Sequence, residues 1–322
     1  MRRHALFSSL NIIMENISIL VLGAGELGLP VIRNLATKAK EFNNITVTVL
    51  LRHGTIETTD PEKRKKVNEI KLLDVEMLAG DLSAPSGDLV EIFKKYDAVV
   101  SCTGYGSGAG GFQLKLAKAV LAAGVKRYFP WQFGVDFEVI GKGSPQDLFD
   151  EQLEVRELLR SQNRTKWVII STGLFTSYLF EQFFDVINIE KQTINAIGSW
   201  DTAVTVTTPE DIGVLTADIF FREPVIEDCI VYIGGDTLTY RQLGEIAESL
   251  SGQTYTRSLS DVNELEAELK ADPGNFVKKY RSIFGAGKGV SWDFEKTYNF
   301  QHGIKTTSAK QWAERNIDWK KR

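Results

Sequence analysis

Three glycines, Gly23, Gly25 and Gly28, punctuate the segment G-A-G-E-L-G directly after the apolar run ISILVL at 17–22 and directly before a helical pattern. Each has a distinct physical use. Gly23 permits a tight turn, Gly25 lets backbone approach a pyrophosphate, and Gly28 lets a helix lie close against its strand. At the helix start, unpaired N–H groups and the positive end of the helix dipole favour phosphate oxygens. Ala24, Glu26 and Leu27 therefore belong to the same candidate dinucleotide site. A glycine triplet alone is a weak motif, but a strand-to-helix setting near the start of an alternating chain makes it specific.

The end of the second strand selects the dinucleotide, because it lies beside the adenosine ribose. A carboxylate there accepts from a 2′-hydroxyl, whereas a 2′-phosphate requires a cation. Here Leu51 is followed by Arg52, His53, Gly54 and Thr55, with no acid before Glu57. This favours NADP(H) over NAD(H), with Arg52 on the phosphate; a solvated arginine at a strand end is the plainer alternative. Gly80-Asp81, after a third strand, reaches toward adenine, and Thr103-Gly104, after a fourth, passes beneath the cofactor. The glycine cluster at 104–111 reads either as a loop over the site or as a surface linker.

Other chemistries are poorly supplied. His4, His53 and His302 are the only histidines, no Cys, His or carboxylate grouping has metal-ligand spacing, and no Ser-His-Asp motif occurs. Asp136 is either catalytic or, more commonly for such a position, the acceptor of a local turn bond. Tyr178, in the aromatic-rich stretch TGLFTSYLFEQFF, is a candidate proton donor or a cavity wall.

These residues need a scaffold, and the remaining pattern supplies one. Short β-branched runs at 17–22, 45–51, 75–79, 97–102, 126–130 and 166–171 alternate with helical stretches at 29–40, 87–95, 111–123 and 145–162. Such alternation implies a doubly wound parallel sheet of the Rossmann class. Ser144, Pro145 and Asp147 are read as the start of the helix at 145–162, Thr208, Pro209 and Asp211 as the start of another, and Thr239 with Gln242 as a capping pair. The expected organisation is an extension at 1–16, a nucleotide-binding domain at 17–171, and at 172–322 mainly a smaller α+β substrate lobe, some stretch of which is free to return to the main sheet; DCIVYIGG is strand-like. From about 285 no periodicity is strong until a last helix at 306–320.

A chain of 322 residues with 43% apolar and 25% charged residues is ordinary globular material, and a net charge of −4 offers no footprint for nucleic acid. No apolar stretch reaches the roughly 18–20 residues that cross a bilayer. The expectation is a soluble, cytoplasmic protein. Cys102 and Cys229 sit in apolar runs and read as small buried hydrophobes. The basic segment MRRHALFSSLNIIM weakly resembles a targeting leader, and a short frayed extension is the preferred reading of the same residues.

The pieces VLGAGELG, LLRH, Gln113 before AGVKRYFPWQFGVD, FDEQLEVRELL and STGLF, in this order, resemble the NmrA-like and isoflavone reductase-like family of atypical short-chain dehydrogenases, especially its fungal members. The likeness runs from about residue 17 to 250. It implies NADP(H) at the glycine loop and Arg52, with the nicotinamide near Pro130 to Phe133, hence Trp131 and Gln132, and near Thr172, Gly173 and Phe175. It also exposes two departures. The reductase branch has a lysine where this chain has Gln152, and Ser-Glu-Phe-Gly where this chain has Trp131-Gln132-Phe133-Gly134. A glutamine amide positions a carbonyl or ribose but does not deliver a proton at neutral pH. Gln152 is either a cofactor or substrate contact, or a buried glutamine bonded to a backbone group. Asp150 and Glu151 lie beside it on other helix faces. Three functions follow: an NADPH-dependent reductase of an apolar or aromatic metabolite, an NADP-bound enzyme of non-redox rearrangement or cyclisation, and a non-catalytic NADP-sensing regulator with a protein partner.

Overall fold

Side chains along Ile17–Leu22 alternate between two cores: Ile19 and Val21 pack in one, Leu20 and Leu22 in the other. A strand buried on both faces belongs in the middle of a sheet with helices on each side. The computed structural model, which describes residues 16–104, 110–143 and 147–319, has that arrangement. Its strands in chain order are β1 (Ile17–Leu22), β2 (Ile45–Leu51), β3 (Glu76–Ala79), β4 (Ala98–Ser101), β5 (Arg127–Phe129), β6 (Lys166–Ser171), β7 (Leu174–Phe175), β8 (Ile187–Asn188), β9 (Thr193–Gly198), β10 (Ala203–Thr207), β11 (Cys229–Tyr232), β12 (Asp236–Thr239) and β13 (Thr256–Asp261). Seven form one parallel sheet in the order β11-β6-β5-β4-β1-β2-β3. The order reverses at β1 and β4, and the crevice beyond their carboxyl ends is where such sheets bind ligands.

Helix Gly28–Ala39 packs against Pro209–Phe220 on one face, while Ser86–Phe93, Phe112–Ala122 and Asp150–Arg160 pack in series on the other. The smaller lobe has two three-stranded sheets, β12-β10-β7 and β13-β9-β8. A third core, including Phe184, Ile194, Ala196, Tyr240 and Phe284, joins them to helices Tyr240–Ser251, Val262–Ala271 and Phe276–Ala286. The fold is thus the doubly wound Rossmann sheet with an α+β lobe.

Strands β1 to β6 fall within a residue of their expected limits at each end. Two caps also form as read: the Thr208 hydroxyl accepts from Asp211 N–H at 3.0 Å, and Thr239 with Gln242 makes a reciprocal capping box. The helix expected at 145–162 starts later, at Asp150, with Phe149 before it and no side-chain cap. Ser144 and Pro145 lie outside the described residues, and Asp147 pairs with Lys279 of the lobe rather than reaching back along its own helix. Leu148 precedes the helix, and Gln152, Val155 and Leu159 share a buried face of it. Helices Pro61–Leu72, Val262–Ala271 and Phe276–Ala286 and the strands β8, β9, β10 and β13 were not anticipated, and the last helix is shorter, Ala309–Asn316. Cys102 is buried, but Cys229, on the outermost strand β11, is only half-buried; both are free thiols. No helix among the described residues is long and apolar enough to cross a membrane.

Candidate functional site

The glycine loop is closed behind and open in front. At Gly23 the backbone has φ +91°, and a Cβ would stand 3.2 Å from the Cys102 carbonyl oxygen; at Gly28 a Cβ would come within 2.3 Å of the Gly23 oxygen. Any side chain at Gly28 would push the helix off the turn. Nothing lies within 4 Å of where a Gly25 Cβ would be, so the loop offers bare backbone to an incoming group. Helix Gly28–Ala39 has no acid in its first turn and no side-chain cap at Leu27. Leu29 N–H donates to the Gly25 oxygen at 3.2 Å and Pro30 has no N–H, so the Gly28 N–H is the first-turn donor left for a ligand or water. The arrangement fits a pyrophosphate.

At the neighbouring strand ends, Arg52 and His53 follow β2 and Asp81 follows β3, the two held together by Gly80 N–H donating to the Leu51 oxygen at 2.9 Å. The Ser83 N–H and hydroxyl, with a smaller contribution from the Arg52 charge, hold the Asp81 carboxyl below its usual range. His53 faces Glu57 at 3.1 Å. Arg52 is exposed at this edge.

A cavity of about 330 Å³ opens against the loop. Its sheet-side wall is Gly25, Glu26, Leu27, Cys102, Thr103, Gly104, Trp131 and Phe133. The Gln113 amide fastens the floor by donating to Thr103 Oγ1 at 3.1 Å and to the Gly104 oxygen. Residues 105–109 of the glycine cluster lie outside the described residues. Opposite stand Gly173, Leu174, Phe175 and Tyr178, together with Phe276, Tyr280 and Phe284. Gly173, at φ +72°, could carry no Cβ, since that atom would fall 2.0 Å from the Thr205 oxygen. The N–H groups of Thr172 and Gly173 both donate to the Gly134 oxygen, at 2.8 and 3.0 Å. Thr207 Oγ1 donates to the Thr172 oxygen at 2.6 Å. The segments around 131–134 and 172–175 are therefore locked edge to edge beside the cavity. Tyr178 lies edge-on to Phe175, with ring centroids 5.7 Å apart, and its phenol is pushed up by burial and by the charges of Glu26 and Glu181.

Phe276, Tyr280 and Phe284 escaped the sequence reading, as did Val135, Phe137 and Phe149 of the same cavity. Their spacing of four residues was the available signal, since it places three rings on one helical face.

Gln132, Gln152 and Arg156 are buried behind this wall, and neither glutamine lines the cavity. Arg156 Nε donates to Gln132 Oε1 at 2.8 Å. A guanidinium has donors only, so it dictates which way the Gln132 amide faces. Gln132 Nε2 must then point away, and it donates to the Gln152 main-chain oxygen at 2.8 Å and to Gln152 Oε1 at 3.0 Å. With that oxygen engaged, the Gln152 amide nitrogen is left as a donor. Arg156 lies over the Phe137 ring at 5.0 Å and within 3.8 and 3.9 Å of Asp136 and Glu138. Burial lowers its basicity and those carboxylates oppose the shift. Asp136 caps helix Phe137–Ile140 and accepts from Tyr232 Oη at 2.6 Å. Asp150 accepts from Gly143 N–H and Glu151 from Leu114 N–H, so all three carboxylates are engaged in local structure. No metal-holding group of His, Cys, Asp or Glu occurs among the described residues.

A model of the NmrA-like family matches residues 15–284, most of the chain. An NmrA-like family domain-containing oxidoreductase of Gibberella moniliformis is 45% identical over 298 residues, covering 92% of this chain and 97% of its own. The chain belongs to the NmrA-like family. Among solved structures, an isoflavone reductase superposes with a TM-score of 0.75 at 20% identity, covering 94% of this chain and all of its own. The binary complex of leucoanthocyanidin reductase with NADPH from Vitis vinifera gives 0.72 at 20% identity, over 91% of this chain and 97% of its own. At these identities the structures speak for the fold.

Within this NmrA-like chain, the two departures noted in the sequence are one feature. Gln132 and Gln152 hydrogen-bond to each other, so a neutral amide pair occupies both positions where the reductase-like resemblance implies a glutamate and a lysine.

Proposed function

We propose that this chain is an NADPH-dependent reductase of a small apolar or aromatic metabolite. The observation that carries the reading is a shared wall: the glycine loop that is open to a pyrophosphate at Gly25 also closes one side of an aromatic-lined cavity. When bound, NADPH supplies a hydride from its nicotinamide ring. The loop Gly23–Gly28 holds the pyrophosphate, Arg52 the 2′-phosphate, and the locked segments around Trp131 to Phe133 and Thr172 to Phe175 flank the nicotinamide end. Phe276, Tyr280 and Phe284 receive the apolar body of the substrate and exclude water from it. The remaining Gln152 donor suits a ribose hydroxyl or another acceptor. The name of the Gibberella moniliformis relative at 45% identity, an oxidoreductase, supports the same reading.

Titration with NADPH, NADP+ and NADH, followed by incubation with aromatic ketones, enones and lactols while nicotinamide absorbance is recorded, tests it. Tighter binding of NADPH than NADH and consumption with at least one carbonyl class are expected. Equal binding of NADPH and NADP+ with no consumption would overturn it. That result would favour a second reading, a non-catalytic NADP(H) sensor with a protein partner, which the neutral Gln132–Gln152 pair supports.

A further inference from the structure

We infer that the side chain of Glu26 donates the proton of the reduction. The inference rests on the reductase reading. Among the described residues that line the cavity, Glu26 is the only carboxyl, and there is no lysine, arginine or histidine. The other protic groups are poor donors near neutrality. The Cys102 thiol is pushed up by complete burial. Phenols hold their proton to about pH 10, and that of Tyr178 is pushed higher still. Thr103 Oγ1 accepts from Gln113 and lies 3.3 Å from Ser101 Oγ.

Glu26 adjoins Gly25, the open point of the loop, on the wall facing Tyr178. Its surroundings shift the carboxyl toward its protonated form. Burial and Glu210, at the start of helix Pro209–Phe220, weaken its acidity most; Lys66, on helix Pro61–Leu72, opposes them, and Glu181 adds to them. The net shift is upward, toward the pH at which a general acid works best. The residue is also exposed, so water restores the proton after each turnover. In the step, the substrate carbonyl carbon accepts the hydride of NADPH and the C=O π pair moves to oxygen. That oxygen forms its O–H bond as the Glu26 O–H bond breaks, leaving a carboxylate. The carbonyl gains two electrons and NADPH loses two.

Glu26→Gln keeps the shape and hydrogen bonding but removes the acidic proton. NADPH affinity no weaker than wild type by fluorescence titration, because a negative charge leaves the loop that holds the pyrophosphate, and kcat at saturating NADPH lower by about a hundredfold or more are expected. The wild-type kcat should fall as pH rises through the Glu26 titration, and the variant should lose that dependence. Independently of turnover, carboxyl NMR of the cofactor-free protein should show Glu26 titrating above the ordinary glutamate value of about 4.3, with Glu210→Gln bringing it down. Wild-type kcat and pH profile in the variant, an ordinary titration, or loss of NADPH affinity would each overturn the assignment while leaving the reductase reading intact. Absence of any turnover by the wild type would overturn both.

Discussion

The two walls of the cavity are specified in different ways. On the sheet side, recognition lies in backbone: a glycine that must be bare because Gly23 is 2.3 Å from its would-be Cβ, and another that is bare with open space before it. On the lobe side, recognition lies in side chains, three rings from Phe276–Ala286 and the segment around Tyr178. Backbone recognition tolerates almost no substitution and carries little substrate information. Side-chain recognition is replaceable and carries nearly all of it. The buried pair Gln132–Gln152 belongs to neither wall, and it is the place where side chains of the nucleotide-binding half differ from the reductase pattern.

The largest expected effect comes from forcing half of that pair back. Gln152→Lys alone would remove the oxygen that accepts from Gln132 Nε2, and would set a buried ammonium against an amide donor that Arg156 holds in place. An uncompensated buried charge costs about 3–5 kcal/mol, so urea unfolding should show a severe loss of stability. Adding Gln132→Glu supplies a carboxylate between the two cations and should recover about 1–3 kcal/mol. A double variant no more stable than the single would show that the positions are uncoupled.

Next in size is a matched pair in the glycine loop. Gly28→Ala should cost about 1–3 kcal/mol of stability through overpacking, read by denaturation. Gly25→Ala should leave stability nearly unchanged but weaken NADPH binding, because its methyl group enters space kept for the ligand. If both variants lose only stability, the open front of the loop is not a pyrophosphate site.

The same contrast decided how much could be read from sequence. Strands β1, β2, β4 and β6 are buried on both faces, so each contains an unbroken apolar stretch of three or four residues, and the loop after β1 needs glycine for steric reasons that leave a local motif. The lobe has no such signature. Strand β13, TRSLSD, is largely exposed, and it pairs from Thr256↔Thr193 onward with a strand some sixty residues earlier. Nothing local announces that pairing. Gln152 was conspicuous as a glutamine where the resemblance implies a lysine, but its partner, twenty residues away on a loop, was visible only in three dimensions. The Phe276, Tyr280 and Phe284 stripe was readable, yet a ring stripe at helical spacing is more often plain core, and only the structure brings it to the glycine loop.

Arg52→Ala sharpens the cofactor side further. The residue is exposed beside Asp81, so the fold should be unaffected. NADPH affinity should fall by roughly tenfold or more through loss of a charge-assisted contact to the 2′-phosphate, while NADH affinity stays the same. An equal loss for both would assign Arg52 to the common part of the dinucleotide, and the selectivity would have to come from elsewhere.

The smallest expected effect tests the lobe wall alone. Phe276 stacks near Tyr280, with centroids 5.0 Å apart, but 44% of it remains exposed at the cavity rim. Phe276→Ala therefore removes only part of a full aromatic burial, and KM for an aromatic substrate should rise by roughly threefold to tenfold. NADPH affinity should not change, because no part of the ring belongs to the glycine-loop wall. A parallel loss of NADPH binding would mean that the lobe also shapes the dinucleotide end, and the division of labour between the two walls would be wrong.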